Sequence, residues 1–173
     1  MSLKVKVGDP LPSVGLRATD GYLLNLRSFV TKQPALLVFF GAPSMAAGAG
    51  RRRGMKTVDA LVAGHDRLRE AGIAVAGIST DSEQQQTAFV AKQALPFLLF
   101  SDERRSAVNV LGVETVADGA NVNVAKPMAL AVDVDGAIRA ILDPIEPNAL
   151  VDQAMRALSE PIPAATNGAA PAG

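Results

Sequence analysis

The sequence has 173 residues and contains no cysteine and no tryptophan. Without cysteine there can be no disulfide, no thiolate metal ligand and no mechanism that uses a cysteine nucleophile. Aromatic residues are scarce, with six phenylalanines and one tyrosine, which disfavours a surface that stacks nucleic-acid bases. The composition predicts a protein without thiol chemistry, without a metal site and without a nucleic-acid partner.

Net charge and long apolar runs are also lacking. The 17 lysines and arginines balance the 17 aspartates and glutamates, so there is no overall field to attract nucleic acid or a membrane. No apolar run approaches the roughly 20 residues of a membrane helix. Residues 1–9 are charged and lack the apolar core of a signal peptide. We expect a soluble cytoplasmic protein with no membrane insertion and no cofactor.

The chain length predicts one domain with a substantial core. We place this domain at residues 1–160. The last segment, residues 161–173, is rich in proline, alanine and glycine. Such a composition is typical of a flexible tail.

The central stretch of the sequence is Pro34–Gly54. It contains an unbroken apolar run, Ala35–Phe40, which predicts a strand buried on both faces. Small residues and glycines follow, then three arginines, and a helical pattern extends over Arg52–Ala71. A loop between a strand and a helix N-terminus presents free backbone N–H groups. We therefore place the candidate site in this loop.

The remaining pattern alternates strands and helices. Ile73–Ser79 is a second apolar run and should lie parallel to the first, because a strand–helix–strand unit forms a right-handed crossover. Val113–Ala125 is small and polar and is predicted to be a loop. The other predicted elements are a hairpin within Arg17–Phe29, a helix from Asp81 or Ser82 to Gln93, a strand Phe97–Phe100, a helix Asp102–Leu111, antiparallel strands Met128–Asp133 and Ala137–Leu142, and a helix Pro147–Leu158.

Several phrases of the sequence resemble one protein family in order and spacing. They begin with V-G-D-P-L-P at Val7, continue with A-G-I-A-V-A-G-I-S-T-D-S and F-V-A-K-Q-A-L-P-F-L-L-F-S-D, and end with A-V-D-V-D-G-A-I-R. Together they resemble the peroxiredoxins, the alkyl hydroperoxide reductase and thiol-specific antioxidant family, and most closely the bacterioferritin-comigratory type. The resemblance implies an α/β protein with a thioredoxin fold, a peroxiredoxin-type N-terminal hairpin and a central mixed sheet flanked by helices.

The departure from the family falls at its active site. The family motif is a proline, three residues, a threonine, two residues and the peroxidatic cysteine. Counting forward from Pro43 puts Ala47 at the threonine and Gly50 at the cysteine. Counting back from the second strand puts Gly54 at the cysteine instead, so the loop length has changed. Neither glycine is a nucleophile.

The family arginine that polarises the peroxide is also missing. It precedes the strand that matches Met128–Asp133, where this sequence has Lys126 and Pro127. Pro127 resembles the cis-proline of thioredoxins, so we expect a cis Lys126–Pro127 bond, since a cis bond before proline costs only ~0.5–1 kcal/mol.

Two hypotheses follow for the function. Thiol peroxidase activity requires a thiolate, so the first is a non-catalytic binding or structural subunit, either a homo-oligomer or part of a larger assembly. The second is an anion- or phosphate-binding module, or an enzyme, that uses the loop 48–54. Its glycines would bring backbone N–H groups near an anion and Arg51, Arg52 and Arg53 would clamp it, with Lys126 and Pro127 nearby.

Two weaker candidates have structural explanations. His65 lies on the apolar stripe of its helix, where we expect it to hydrogen-bond a backbone carbonyl at the edge of the core. Asp133–Gly136 contains the start of a calcium-loop pattern but lacks the closing glutamate. A hairpin turn is the preferred interpretation.

Overall fold

The structure is a computed structural model that describes residues 3–41, 49–118 and 121–159. Residues 42–48, which include Pro43 and Ala47, and the predicted tail lie outside the described residues. The elements in chain order are β1 (Gly15–Ala18), β2 (Leu23–Asn25), α1 (Leu26–Val30), β3 (Ala35–Phe39), α2 (Ala49–Glu70), β4 (Ala74–Ser79), α3 (Glu83–Gln93), β5 (Leu98–Ser101), α4 (Ser106–Leu111), β6 (Thr115–Asp118), β7 (Asn121–Ala125), β8 (Met128–Val132), β9 (Ile138–Leu142) and α5 (Leu150–Ser159).

A seven-stranded mixed sheet forms the centre of the molecule, in the order β2-β1-β5-β4-β3-β8-β9. β3 pairs in parallel with β4 and antiparallel with β8, and β8 pairs antiparallel with β9. The two predicted strand pairings are therefore confirmed. The predicted N-terminal hairpin is also present, because β1 pairs antiparallel with β2.

Helices cover both faces of the sheet, which is why every residue of β3 is buried. Leu37 and Phe39 point to the cluster that includes residues of α1 and α4. Leu36 and Val38 point to the opposite cluster, which α2, α3 and α5 complete. A strand with apolar residues at every position is what a sheet covered on both sides requires.

Helix boundaries follow the capping groups. Ser82, one of the two predicted starting residues of α3, is its N-cap and forms a reciprocal capping box with Gln85. The helix predicted from Asp102 instead begins at Ser106, because Arg105 has a left-handed backbone (φ 61°). The Asp102 carboxylate accepts hydrogen bonds from the N–H groups of Ala107 (3.0 Å) and Val108 (2.8 Å). Burial of this carboxyl raises its pKa, against the lowering effect of those bonds.

The prediction of a loop over Val113–Ala125 was wrong. β6 and β7 pair there as a separate two-stranded antiparallel ribbon, with Thr115 opposite Ala125 and Val116 opposite Val124. Val116 precedes an Asp-Gly pair at 118–119, and Val122 and Val124 alternate after it, which is a hairpin signal. The strands were not predicted because the segment consists mostly of small and polar residues and neither strand has a long apolar run.

The last helix also begins later than predicted. The backbone over 147–149 forms a turn, in which the N–H of Ala149 donates to the carbonyl of Glu146 at 2.9 Å. Helix α5 then starts at Leu150. Its buried residues, Leu150, Val151 and Ala154, belong to the same hydrophobic cluster as Leu36 and Val38 of β3. None of the described helices is long and apolar enough to cross a membrane.

Candidate functional site

The candidate site lies at the edge of the sheet where β3 and β4 end and β8 begins. Phe39 is paired with Ile78 on one side and with Met128 on the other. This register brings the chain after β3 and the residues before β8 to the same edge. Helix α2 follows β3 in the chain, after residues 42–48, which lie outside the described residues.

Gly50 and Gly54, the two positions predicted to correspond to the family cysteine, lie in α2. Gly50 is the second residue of the helix and belongs to its first turn. Gly54 belongs to the second turn and is buried. The two positions therefore differ physically, because the free N–H groups of a helix are confined to its first turn. A cysteine introduced at each position can therefore test which of the two alignments to the family motif is correct.

The three arginines occupy the first two turns of α2, with Arg51 half-buried and Arg52 and Arg53 exposed. No acidic residue lies in the first turn. Exposed cations at this end of a helix oppose its dipole by ~0.3–1 kcal/mol each. Exposed Arg52 and Arg53 therefore place positive charge at this end of the helix, against its dipole.

A buried hydroxyl, which sequence reasoning missed, lies close to Gly54. Thr57 is 2% exposed, and its Oγ1 donates to the carbonyl oxygen of Arg53 at 3.1 Å. This is the common bond of a helical threonine to the preceding turn. Its burial and this bond make the Thr57 hydroxyl a structural group and not a nucleophile.

Lys126 forms an ion pair with Glu114, a residue that the sequence analysis did not select. The two also share a backbone bond, from the N–H of Lys126 to the carbonyl of Glu114 at 2.9 Å. They are the residues that flank the β6–β7 ribbon, so the ribbon brings them together. This ion pair could be predicted only from knowledge that β6 and β7 pair.

The predicted cis bond between Lys126 and Pro127 was wrong. The cis peptide bond among the described residues is Asp143–Pro144, and the Lys126–Pro127 bond is not cis. The β6–β7 ribbon holds the backbone of Lys126 through its bond to Glu114. The chain continues from there through half-buried Pro127 into β8. Pro127 therefore does not have the peptide geometry of the thioredoxin cis-proline.

The ion pair yields a prediction for Glu114. A hydrogen bond from Lys126, followed by its charge, lowers the pKa of the Glu114 carboxyl below the ordinary value of 4.5. Because the folded-state pKa is lowered, the stabilisation by this pair is present above pH 4.5 and is lost as the pH falls through the lowered value. We expect Lys126→Gln to move the pKa of Glu114 back toward 4.5, measured by NMR titration of its carboxyl carbon. Lys92→Gln, an exposed change on α3, is the control and should leave it unchanged.

The remaining candidates lie elsewhere. Asp133–Gly136 forms the predicted turn between β8 and β9, with the N–H of Gly136 donating to the carbonyl of Asp133 at 2.8 Å. His65 lies eleven residues after Gly54, about 16 Å along the helix. Its predicted backbone partner is not found among the described residues. Its imidazole instead contacts the Phe97 ring at a centroid distance of 6.2 Å, because the side chain is turned toward a surface groove that both residues line.

Comparison with solved structures defines the class of fold. Peroxidoxin BcpB from Mycobacterium tuberculosis superposes with a TM-score of 0.75 at 21% identity, covering 89% of this chain and 96% of that one. A mutant of PrxQ from Xylella fastidiosa gives 0.73 at 15% identity, covering 90% and 96%. The fold is therefore the thioredoxin-like α/β fold, with a mixed central sheet flanked by helices, as predicted.

Sequence comparison then identifies the family. A family model described as AhpC/TSA family matches residues 7–141. Peroxiredoxin Bcp of Escherichia coli (strain K12) is 32% identical over 143 residues, which cover 80% of this chain and 86% of that protein. A chloroplastic peroxiredoxin Q of Populus jackii is 34% identical over 100 residues, covering 58% and 44%. The chain belongs to the AhpC/TSA family, with relatives of the Bcp and peroxiredoxin Q type, and it contains no cysteine.

Proposed function

We propose that this chain is a non-catalytic member of its family that acts by binding or assembly. The observation that carries the proposal is the absence of cysteine from the whole sequence. Peroxide reduction by a thiol begins with attack of the thiolate on the O–O bond, which leaves a sulfenic acid and releases water or an alcohol. At the two positions matching the family cysteine this chain has Gly50 and Gly54, which offer no side-chain nucleophile.

The described groups around the site do not replace the thiol. The hydroxyl of Thr57 is buried and bonded to the backbone, and the ammonium of Lys126 is paired with Glu114. Steady-state consumption of hydrogen peroxide by the purified chain tests the proposal. With thioredoxin or dithiothreitol as reductant, we expect no consumption above that of the protein-free blank.

The binding role requires a partner, which we propose to be a second copy of the chain or another protein subunit in the cytoplasm. Light scattering across a concentration series tests the first partner and affinity capture from cytoplasmic extract tests the second. A monomer at all concentrations together with no captured subunit would contradict this part of the proposal.

A second candidate function is binding of an anion or phosphate-bearing ligand at the start of α2. It is favoured by the exposed Arg52 and Arg53 and by the lack of acidic residues in that turn. Arginine binds phosphate and carboxylate through two parallel hydrogen bonds, which a lysine cannot do.

The anion candidate predicts a loss of binding in an arginine-free variant. Changing Arg51, Arg52 and Arg53 together to Ala should abolish binding of inorganic phosphate at low salt, measured by calorimetry, while the circular dichroism spectrum is kept. Added salt should weaken binding by the natural chain, because exposed charges are screened over ~10 Å at ~0.1 M. Lys56→Ala, an exposed change on the same helix, is the control. Unchanged phosphate binding in the triple variant would remove the role given to these arginines.

A further inference from the structure

A groove on the surface lies at the opposite end of the sheet from the candidate site. It is a groove of about 660 Å³, within the range of ~300–1,000 Å³ typical of small-molecule sites. Ala74 and Leu98, the first residues of β4 and β5, lie at its base. The candidate site lies where these parallel strands end, so the two regions are separated by the length of the strands.

The floor of the groove is apolar and partly open. Phe29, Val90, Leu95 and Leu98 are half-buried, whereas Phe97 is buried. These side chains come from α1, α3 and the segment that enters β5. A floor of this kind binds a hydrocarbon or aromatic body, since covering it removes apolar surface from water.

Most polar groups at the rim are already bonded within the chain. The Asp20 carboxylate accepts the N–H of Tyr22 at 3.1 Å. The Gln33 amide donates to the carbonyl of Gly72 at 3.2 Å. The Thr87 hydroxyl donates to the carbonyl of Glu83 at 2.8 Å. Each of these groups therefore has one hydrogen bond within the chain, and Asp20 adds a negative charge to the rim.

His65 and Arg69 differ from these groups. They lie one helical turn apart on α2, at the i and i+4 positions that share a face. Within the described part of the chain the His65 imidazole makes no hydrogen bond, only the contact with Phe97. Arg69 pairs with Asp66 at 3.2 Å, but both side chains are mostly exposed, and such pairs contribute little. A ligand carboxylate can therefore replace Asp66 as the partner of Arg69.

We infer that this groove binds a small amphipathic carboxylate. Its apolar body lies against Phe97, Val90 and Leu95, and its carboxylate lies between His65 and Arg69. The single carboxylate matches the two donors, because an acidic group at this end of the groove gains charge-assisted hydrogen bonds. This inference is independent of the role proposed for the loop and the arginines at the start of α2.

Octanoate is the probe and the His65 imidazole is the reporter. The sequence has one histidine, so its imidazole gives one set of signals in an NMR titration. We expect a saturable shift of these signals with octanoate. Octanamide has the same chain without the charge, and we expect it to bind about tenfold more weakly, the loss expected for charge-assisted bonds. No saturable shift with octanoate, or equal binding of octanamide, would overturn the inference.

Two pairs of comparisons locate the ligand. Ala91 is an exposed wall residue of the groove, whereas Ala88 is exposed on α3 outside it. Ala91→Phe should fill the groove and weaken octanoate at least tenfold, while Ala88→Phe leaves binding unchanged. Arg69→Gln should weaken octanoate about threefold, the size expected for one exposed ion pair, and should not affect octanamide. Unchanged octanoate binding in Ala91→Phe would place the ligand elsewhere and overturn the inference.

Discussion

A Gly50→Cys variant is expected to acquire a thiol that reacts with hydrogen peroxide faster than an ordinary cysteine. Gly50 is the second residue of α2, beside three arginines. A helix N-terminus and neighbouring cations both lower the pKa of a thiol. Each unit of lowering gives about tenfold more thiolate at neutral pH, so we expect a rate about tenfold above that of an ordinary thiol. The rate is measured by following sulfenic acid formation under excess peroxide.

The variant has clean controls because the natural chain contains no cysteine. Glu70→Cys places the thiol at the exposed last residue of the same helix, where the dipole disfavours a thiolate. Gly54→Cys places it in the buried second turn, where burial raises the pKa. We expect Gly50→Cys to react with hydrogen peroxide faster than Glu70→Cys and Gly54→Cys. A faster reaction of Gly54→Cys would favour the register counted back from β4, and equal rates for all three would refute an activating environment.

Gly64→Val is expected to lower the free energy of unfolding by about 1–3 kcal/mol, as overpacking of a buried contact does. A Cβ atom at Gly64 would lie 2.5 Å from Cγ2 and 3.2 Å from Cβ of Val151 on α5. Helix α2 carries the candidate site, and close approach of α5 at Gly64 fixes its position. Urea denaturation of the two proteins measures the difference.

Ala63→Val is the matched control for this change. Ala63 precedes Gly64 in the same helix and is exposed, so it introduces the same β-branched residue without the contact to Val151. We expect a loss of only a few tenths of a kcal/mol there, which is the helix propensity of valine against alanine. Equal losses of unfolding free energy in the two variants would show that contact with α5 does not determine the cost of a larger side chain at position 64.

Long apolar runs made most of the fold predictable. β3 and β4 are bounded by proline, glycine and polar residues and have no alternative interpretation, and the Asp-Gly turn after β8 defines the last hairpin. The start of α3 could be predicted because its cap is local, with Ser82 and Gln85 three residues apart. These features depend on residues that are neighbours in the sequence.

The features that escaped prediction depend on contacts that reach beyond the local spacing patterns of the sequence. The start of α4 is set by the Asp102 carboxylate, which reaches five and six residues ahead. The ion pair of Lys126 and Glu114 exists because β6 and β7 pair between them. The orientation of His65 toward Phe97 depends on the packing of α2 beside the chain that enters β5. Neither periodicity nor motif spacing contains that information.

Peroxide consumption by the purified natural chain is the most direct test of the central claim, which is that this member of the family lacks its peroxidase chemistry. Hydrogen peroxide and an alkyl hydroperoxide are supplied in turn, with reduced thioredoxin or dithiothreitol, and the relative from Escherichia coli serves as positive control. We predict no turnover above the protein-free blank, because the chain has no thiol to attack the O–O bond. Sustained metal-free turnover by the natural chain would contradict the account.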